Sequence, residues 1–372
     1  MIYLDNGATS FHKPREVLRA VQRAMLCCAN PGRGGHQPAM EAANEVFRCR
    51  EEAGRLFGCQ PEQVVFTSNC THGLNIAIRT LVKPGSRVVI SGFEHNAVTR
   101  PLHGLGAKIT IAGRKLFDWE DTLEAFDDAL KKGADGAVFT HVSNVFGYVL
   151  PVEQLAKLCR ERGVPFIIDA AQSAGSLPVS LGELGADFIA MPGHKGLLGP
   201  QGTGLLLCGS NPEPLLFGGT GSDSIRQDMP DFTPDRLEAG TLNVPGIAGL
   251  RAGLRYLRRE GIGRIAHREE MEAKRCAEGL EKAGFQVFTG EHQAGTVSFV
   301  PEMDCEKAAQ ILARQGIALR AGLHCAPLAH ESAGTLQTGT VRVSFGHDAC
   351  ASQTDGLLRA AAKLWNQDSQ KF

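Results

Sequence analysis

Between about residues 60 and 210, short runs of apolar, mostly β-branched residues alternate with stretches whose apolar positions recur at helical spacing. That alternation predicts parallel strands joined by crossover helices, an α/β architecture. The expected strands are Val64–Thr67, Arg87–Ser91, Lys108–Ile111, Ala137–His141, Pro165–Asp169, Asp187–Met191 and Gly204–Cys208. Several are apolar at every position instead of every second one, as strands covered on both faces must be. Helices fall between them, including Trp119–Leu130 and Val152–Arg162, the second closed by Gly163 as a C-cap. After Pro245 the texture changes. A helical region from about 246 to 284, broken near Gly261-Ile-Gly263, precedes apolar runs at Phe285–Phe288, Thr296–Phe299 and Val341–Phe345 and a helix over Cys305–Gln315. This predicts a second, smaller α+β domain. No linker or low-complexity tract separates the two parts, so they are expected to pack closely around a cleft.

Composition narrows the function. The 372 residues are 43% hydrophobic and 21% charged, which describes a soluble globular chain. Lys+Arg at 39 against Asp+Glu at 40 leave a net charge of -1 with no long single-sign block, so a nucleic-acid partner is not expected. The start Met1-Ile-Tyr-Leu-Asp-Asn lacks a signal-peptide pattern, and no apolar run reaches the roughly 18 residues that span a bilayer. A cytoplasmic protein without membrane contact is expected. Eleven scattered cysteines suggest free thiols rather than a disulfide framework, and the absence of C-x-x-C, H-E-x-x-H and EF-hand patterns gives no metal site.

In open α/β sheets, ligands collect beyond the carboxyl ends of the strands, so polar residues just after the expected strands carry most weight. Ser68-Asn-Cys-Thr-His-Gly73 follows the first strand and opens a helix, whose amides and the Thr71 hydroxyl suit a phosphate. An ordinary N-cap at Cys70 or Thr71 is an equal reading of the same segment. Asp169 closes an apolar run, where an ionised carboxylate needs a cation or donors nearby; capping the next turn is its plainer role. Lys195, after His194, lies in a loop between two apolar strands, where partial desolvation would lower its pKa toward the imine-forming range; a solvated lysine is the alternative. The glycines after Lys195 precede a strand, so they are not a dinucleotide fingerprint, and no G-x-x-x-x-G-K-[ST] occurs. An anion cradle, a strand-end carboxylate and a lysine in one sheet are what pyridoxal 5′-phosphate requires: a phosphate site, a partner for the ring nitrogen and an imine-forming amine.

At these residues the chain resembles the class V aminotransferases, which are fold-type I pyridoxal-phosphate enzymes, and within them the cysteine desulfurases. The likeness runs through Tyr3-Leu-Asp-Asn-Gly-Ala-Thr9, Ser68 to Asn75, Glu94-His-Asn96, His141-Val-Ser-Asn-Val-Phe-Gly147, Asp169-Ala-Ala-Gln172, Gly193-His-Lys195, Glu238-Ala-Gly-Thr-Leu-Asn243, Arg320-Ala-Gly-Leu-His-Cys325 and Val341-Arg-Val-Ser344. It implies a large cofactor-binding domain over residues 16–245 with a mostly parallel seven-stranded sheet. Residues 1–15 and 246–372 would form the small domain. It implies further that Lys195 carries the cofactor as an imine and shuttles the Cα proton. His95 would lie over the ring, Asn144 and Gln172 would bond its phenolic oxygen or the imine, and Asp169 would pair with the ring nitrogen. Cys70, Thr71 and His194 belong to the phosphate site, with Thr220 of the Gly219-Thr-Gly221 segment reaching in from a second subunit. Arg342 would clamp the substrate carboxylate, with Asn144, Arg320 and His324 beside it.

Cys325 occupies the place where the desulfurases keep the thiolate that removes sulfur from L-cysteine, leaving L-alanine and an enzyme persulfide. Positive neighbours such as Arg320 or a protonated His324 would favour that thiolate. The segment resembles the group II desulfurases, which include selenocysteine lyases, and so implies a tight loop and a dedicated sulfur-acceptor protein, in a homodimer, with iron–sulfur cluster assembly as one such pathway. Three positions depart from the pattern: Pro192 replaces a phosphate-binding Ser or Thr, Cys70 a common Thr, and Leu323 a frequent His. Selenocysteine lyase, cysteine/cystine β-lyase and aminotransferase activities fit the same residues, and a non-catalytic sulfur-carrier scaffold is the reading from another class.

Overall fold

In the computed structural model, which describes residues 1–32 and 34–368, the seven expected strands form one sheet. Their order is Val64–Thr67, Gly204–Cys208, Phe188–Pro192, Phe166–Asp169, Gly136–Thr140, Arg87–Ser91 and Lys108–Ala112. Gly204–Cys208 runs antiparallel to both neighbours and the other pairings are parallel. Six strands therefore point their carboxyl ends at one edge. Alternate residues divide between two cores: Val64, Phe66, Ile168 and Ile189 pack into one, Val65, Ile167, Phe188 and Ala190 into the other. Burial on both faces is why these runs are apolar throughout.

A second sheet orders Arg320–Gly322, Thr340–Ser344, Thr296–Val300 and Gln286–Phe288, all antiparallel. Helices Ile262–Lys282, Cys305–Arg314 and Ala351–Asp368 supply Cys276, Leu280, Leu312 and Leu357 to its core. The strand Ile2–Tyr3 pairs with Ile317–Ala318, and Asp5 bridges to Ser344, so residues at the start of the chain join this C-terminal unit.

The helical region after the first sheet begins at Val244, not Gly246. Helix Val244–Glu260 sends Val244, Ile247, Leu250, Leu254 and Leu257 into the core of the seven-stranded sheet before the chain turns at Gly261, whose φ is +84°. Two long helices, Arg15–Cys27 and Gln37–Phe57, precede the first strand of the large sheet. Among the described residues no helix is long and apolar enough to cross a membrane.

Candidate active site

The parallel strands deliver their C-terminal residues to a cavity of about 110 Å³ lined by Asn69, Cys70, Thr71, His95, Asn144, Asp169, Gln172, Pro192, His194 and Lys195. Lys195 reaches it from the loop after Phe188–Pro192. That loop is fastened by the N-terminal segment: the His194 carbonyl accepts from the Ser10 amide and hydroxyl, both at 3.0 Å, from Thr9 Oγ1 at 3.1 Å and from Lys13 Nζ at 3.0 Å. Ser10 Oγ also donates to the Lys195 carbonyl at 3.0 Å. With its backbone held twice, Lys195 keeps a side-chain amine that has no hydrogen-bond partner among the described residues. Burial lowers its pKa, and the positive charge of Arg342 adds to this. His194, whose Nδ1 lies 3.0 Å from Thr9 Oγ1, is held at about 4 by burial and by Lys195, and so is neutral.

Asp169 ends its strand at 2% exposure. Its Oδ1 accepts from the Ala171 amide at 2.9 Å and from the Cys70 thiol at 3.5 Å, which leaves Oδ2 without a hydrogen-bond partner among the described residues on a carboxylate that lines the cavity. Burial raises its pKa; these donors and Lys195 oppose that. Cys70 begins helix Cys70–Leu81. Its N-cap is Asn69, whose side chain accepts from the His72 amide at 2.9 Å, and not Cys70 or Thr71 as expected, because only Asn69 has the extended backbone and the amide oxygen to turn back on the first turn.

His95 caps the next helix, Asn96–Gly104, by accepting the Ala97 amide at Nδ1 (3.0 Å), so its remaining proton sits on Nε2. Burial, with Lys195 and Arg320 nearby, lowers its pKa to about 4. Gln172 Nε2 donates to the Gly7 carbonyl at 3.0 Å. Arg342, 1% exposed, donates from Nη1 to the Asn144 carbonyl at 2.9 Å and from Nη2 to Asp5 Oδ1 at 2.7 Å; its Nε has no partner among the described residues.

Asn144 links this cation to the Cys325 loop, since its Nδ2 donates to the His324 carbonyl at 2.8 Å. On the other side the Asn96 amide, next to His95, donates to the Cys325 carbonyl at 2.8 Å. His324 and Cys325 both adopt left-handed backbone, φ +50° and +57°, a conformation that costs non-glycine residues of order 1–3 kcal/mol each. The loop holds because His324 is a peg. It is 3% exposed, and its Nε2 donates to the Thr340 carbonyl at 3.2 Å. Cys325 is exposed, with Arg320 Nη2 at 4.0 Å from Sγ.

A family model for the class-V aminotransferases matches residues 2–357. The chain belongs to the class-V aminotransferase family. It is 34% identical over 364 residues to a Pyrococcus abyssi protein named "Probable cysteine desulfurase", covering 93% of this chain and 89% of that one. Among solved structures, the apo cysteine desulfurase of Thermococcus onnurineus superposes with a TM-score of 0.90 at 33% identity, covering 98% of this chain and 95% of that one. The S-sulfonic acid form of an Escherichia coli cysteine desulfurase superposes with a TM-score of 0.86 at 26% identity, covering 98% and 95%.

Members of the class-V family depend on pyridoxal phosphate, and the cavity suits that group: a buried carboxylate with one oxygen uncommitted, an unpaired amine of lowered pKa, and a helix start at Cys70 and Thr71. Pro192 is part of the same wall and offers no hydroxyl. Thr220 lies elsewhere in the chain, in a groove of about 550 Å³ with Asn30, Phe47 and Arg50. The structure overturns one electrostatic expectation. His324 is not a protonated neighbour of Cys325; burial and Arg342 hold it down at about 2, leaving Arg320 as the positive group beside the thiol. Residues that sequence reasoning left without a role are Asp5, Thr9, Ser10 and Lys13, which anchor Arg342 and the Lys195 loop. The motif Tyr3 to Thr9 was the one signal for Asp5 and Thr9; Ser10 and Lys13, just beyond it, had none.

Proposed function

We propose that this chain is a pyridoxal-phosphate-dependent L-cysteine desulfurase, forming L-alanine and a persulfide on Cys325. The observation that carries the reading is the pair of bonds tying the Cys325 loop to the cavity of Lys195 and Asp169: Asn96 amide to Cys325 carbonyl, and Asn144 to His324 carbonyl, both 2.8 Å. An exposed thiol is thereby fixed at the rim of an amine-and-carboxylate pocket.

Bound pyridoxal phosphate supplies an electron sink that makes the Cα proton of an amino acid removable. Lys195 would hold the aldehyde and take and return that proton at Nζ; burial and Arg342 lower its pKa, which favours the neutral amine the task needs. Asp169 Oδ2 would hold the proton on the ring nitrogen. Thr71, the amide of Cys70 and His194 would hold the phosphate. Neutral His95 has Nε2 as its donor toward the cavity, and Asn144 and Gln172 would bond the group's polar atoms. Arg342, with its free Nε, binds the substrate carboxylate. Cys325 Sγ, with Arg320 Nη2 at 4.0 Å, would accept the substrate sulfur.

Exposure of Cys325 suits hand-over to a sulfur-acceptor protein. We read the Thr220 groove as the face that meets a second subunit in a homodimer. The free cysteines fit a cytoplasmic setting.

The test is to incubate the purified protein, reconstituted with the cofactor, with L-cysteine and to identify products by mass spectrometry. Alanine, together with one added sulfur atom on Cys325, is expected. Pyruvate with ammonia, or a keto acid formed only with an amino acceptor, would replace this reading by β-elimination or transamination. Lys195→Ala should abolish the visible band of the bound cofactor, and Cys325→Ser should keep it while forming no persulfide. Sulfide release by Cys325→Ser at the wild-type rate would refute the role of the thiol.

A further inference from the structure

Asp169 receives two hydrogen bonds, both on Oδ1: one from the Ala171 amide and one from the thiol of Cys70, at 3.5 Å. A peptide donor two residues along the chain is an expected strand-end arrangement. A thiol brought in from a helix start 99 positions away is not. Cys70 is 8% exposed, and burial with the adjacent carboxylate pushes its thiol well above the ordinary value, so the sulfur keeps the proton it donates. A thiol has one proton. Committed to Oδ1, it leaves Cys70 only its backbone amide to offer an anion at the helix start.

The backbone fixes this placement. A Cβ at Gly204 would stand 2.8–2.9 Å from the carbonyl carbon and Cα of Asn69, and 2.7 Å from Thr67 Oγ1, so the glycine lets the turn before Cys70 lie flat on the sheet. One turn further, Gly73 would bring a Cβ to 3.4 Å from Ala190 Cβ. The helix start is thus packed down on the strands that carry Asp169 and Lys195.

We infer that Cys70 is a positioning residue for Asp169: its thiol saturates Oδ1, orients the carboxylate, and so selects Oδ2 as the oxygen offered to the ring nitrogen. This rests on the pyridoxal-phosphate reading above and assigns the Cys70 side chain to the electronic end of the cofactor, leaving only its backbone amide to the phosphate. Without the thiol donor the carboxylate is a stronger base. The proton shared with the ring nitrogen moves toward Asp169, the ring carries less positive charge, and the Lys195 imine binds its own proton more tightly.

The experiment is a pH titration of the visible absorbance of the reconstituted protein, in wild type, Cys70→Ala, Cys70→Val and Cys70→Ser. Valine fills the space without a donor, and serine restores one. Cys70→Ala and Cys70→Val should raise the imine's proton affinity about three- to tenfold, the size expected for losing a weak donor to a buried carboxylate, while Cys70→Ser stays at or below the wild-type midpoint. A role in packing alone would lower the melting temperature without moving the midpoint. Identical midpoints in all four proteins, or a serine variant that follows alanine, would overturn the inference. If the wild type forms no band that Lys195→Ala abolishes, the cofactor reading fails instead, and the two failures are told apart.

Discussion

Glu94 provides a quantitative test of how the floor of the site is built. It is fully buried, and its Oε1 accepts from Ser91 Oγ at 2.5 Å and from the Thr140 amide at 2.8 Å, tying two strand ends together beside His95; its Oε2 has no partner among the described residues. Burial outweighs these bonds and raises the pKa from 4.5 to about 8, so the folded protein carries a neutral carboxyl at pH 7. The unfolded chain releases that proton near 4.5. A raised folded value means that the stability contribution is complete below the unfolded pKa and is lost as pH climbs to the folded one. Each pH unit in that window removes about 1.4 kcal/mol, so the full effect reaches about 5 kcal/mol as an upper bound. Glu94→Gln keeps an acceptor for Ser91 and Thr140 and deletes the titration. Relative to wild type, the variant should therefore gain stability steadily from pH 5 to pH 8 and level off above. Urea unfolding midpoints of both proteins across that range measure the difference. A difference that stays flat with pH would refute the claim that Glu94 folds in protonated.

Three further outcomes are expected. Arg342→Lys removes planar donors and should lower kcat/KM for cysteine by roughly 30- to 100-fold, mostly through KM, by steady-state kinetics. Asp5→Asn leaves the Arg342 guanidinium without its charge partner and should cost about 1–3 kcal/mol in chemical unfolding, less than a fully buried pair because Asp5 is 21% exposed on its side chain. Gly204→Ala forces a Cβ into the Thr67–Asn69 turn and should destabilise by about 1–3 kcal/mol while weakening cofactor affinity, read by melting temperature and by fluorescence titration with pyridoxal phosphate.

The large sheet was legible because each of its strands is a run of apolar residues that has to be covered on both faces, and the matching register then puts Asp169 and Lys195 at neighbouring strand ends. Helices Arg15–Cys27 and Gln37–Phe57 precede the strand–helix alternation that the large sheet was read from, and with Leu18, Met25, Leu26, Met40 and Phe47 exposed their apolar residues do not mark what they pack against. The two-residue strand Ile2–Tyr3 is too short to carry a pattern, and its partner Ile317–Ala318 lies at the other end of the chain. In the site, residue types at strand ends pointed to Asp169 and Lys195, which line one cavity. Residue types could not predict the groups that hold the site's side chains: Asp5 meets Arg342 across 337 positions, and nothing in local spacing marks such a pair. The charge state of His324 was equally hidden, since it follows from burial against Thr340 and Arg342 and not from its neighbours in sequence.

Residues 2–13 act as a strap across the molecule: Asp5 grips Arg342, while Thr9, Ser10 and Lys13 hold the loop of Lys195. Clipping them off would leave the seven-stranded sheet with its full set of strands yet unmoor both Arg342 and the Lys195 loop at once. Limited proteolysis near the amino terminus should thus silence the protein long before it unfolds it. Anyone rewiring the chain order by permutation must keep this strap threaded.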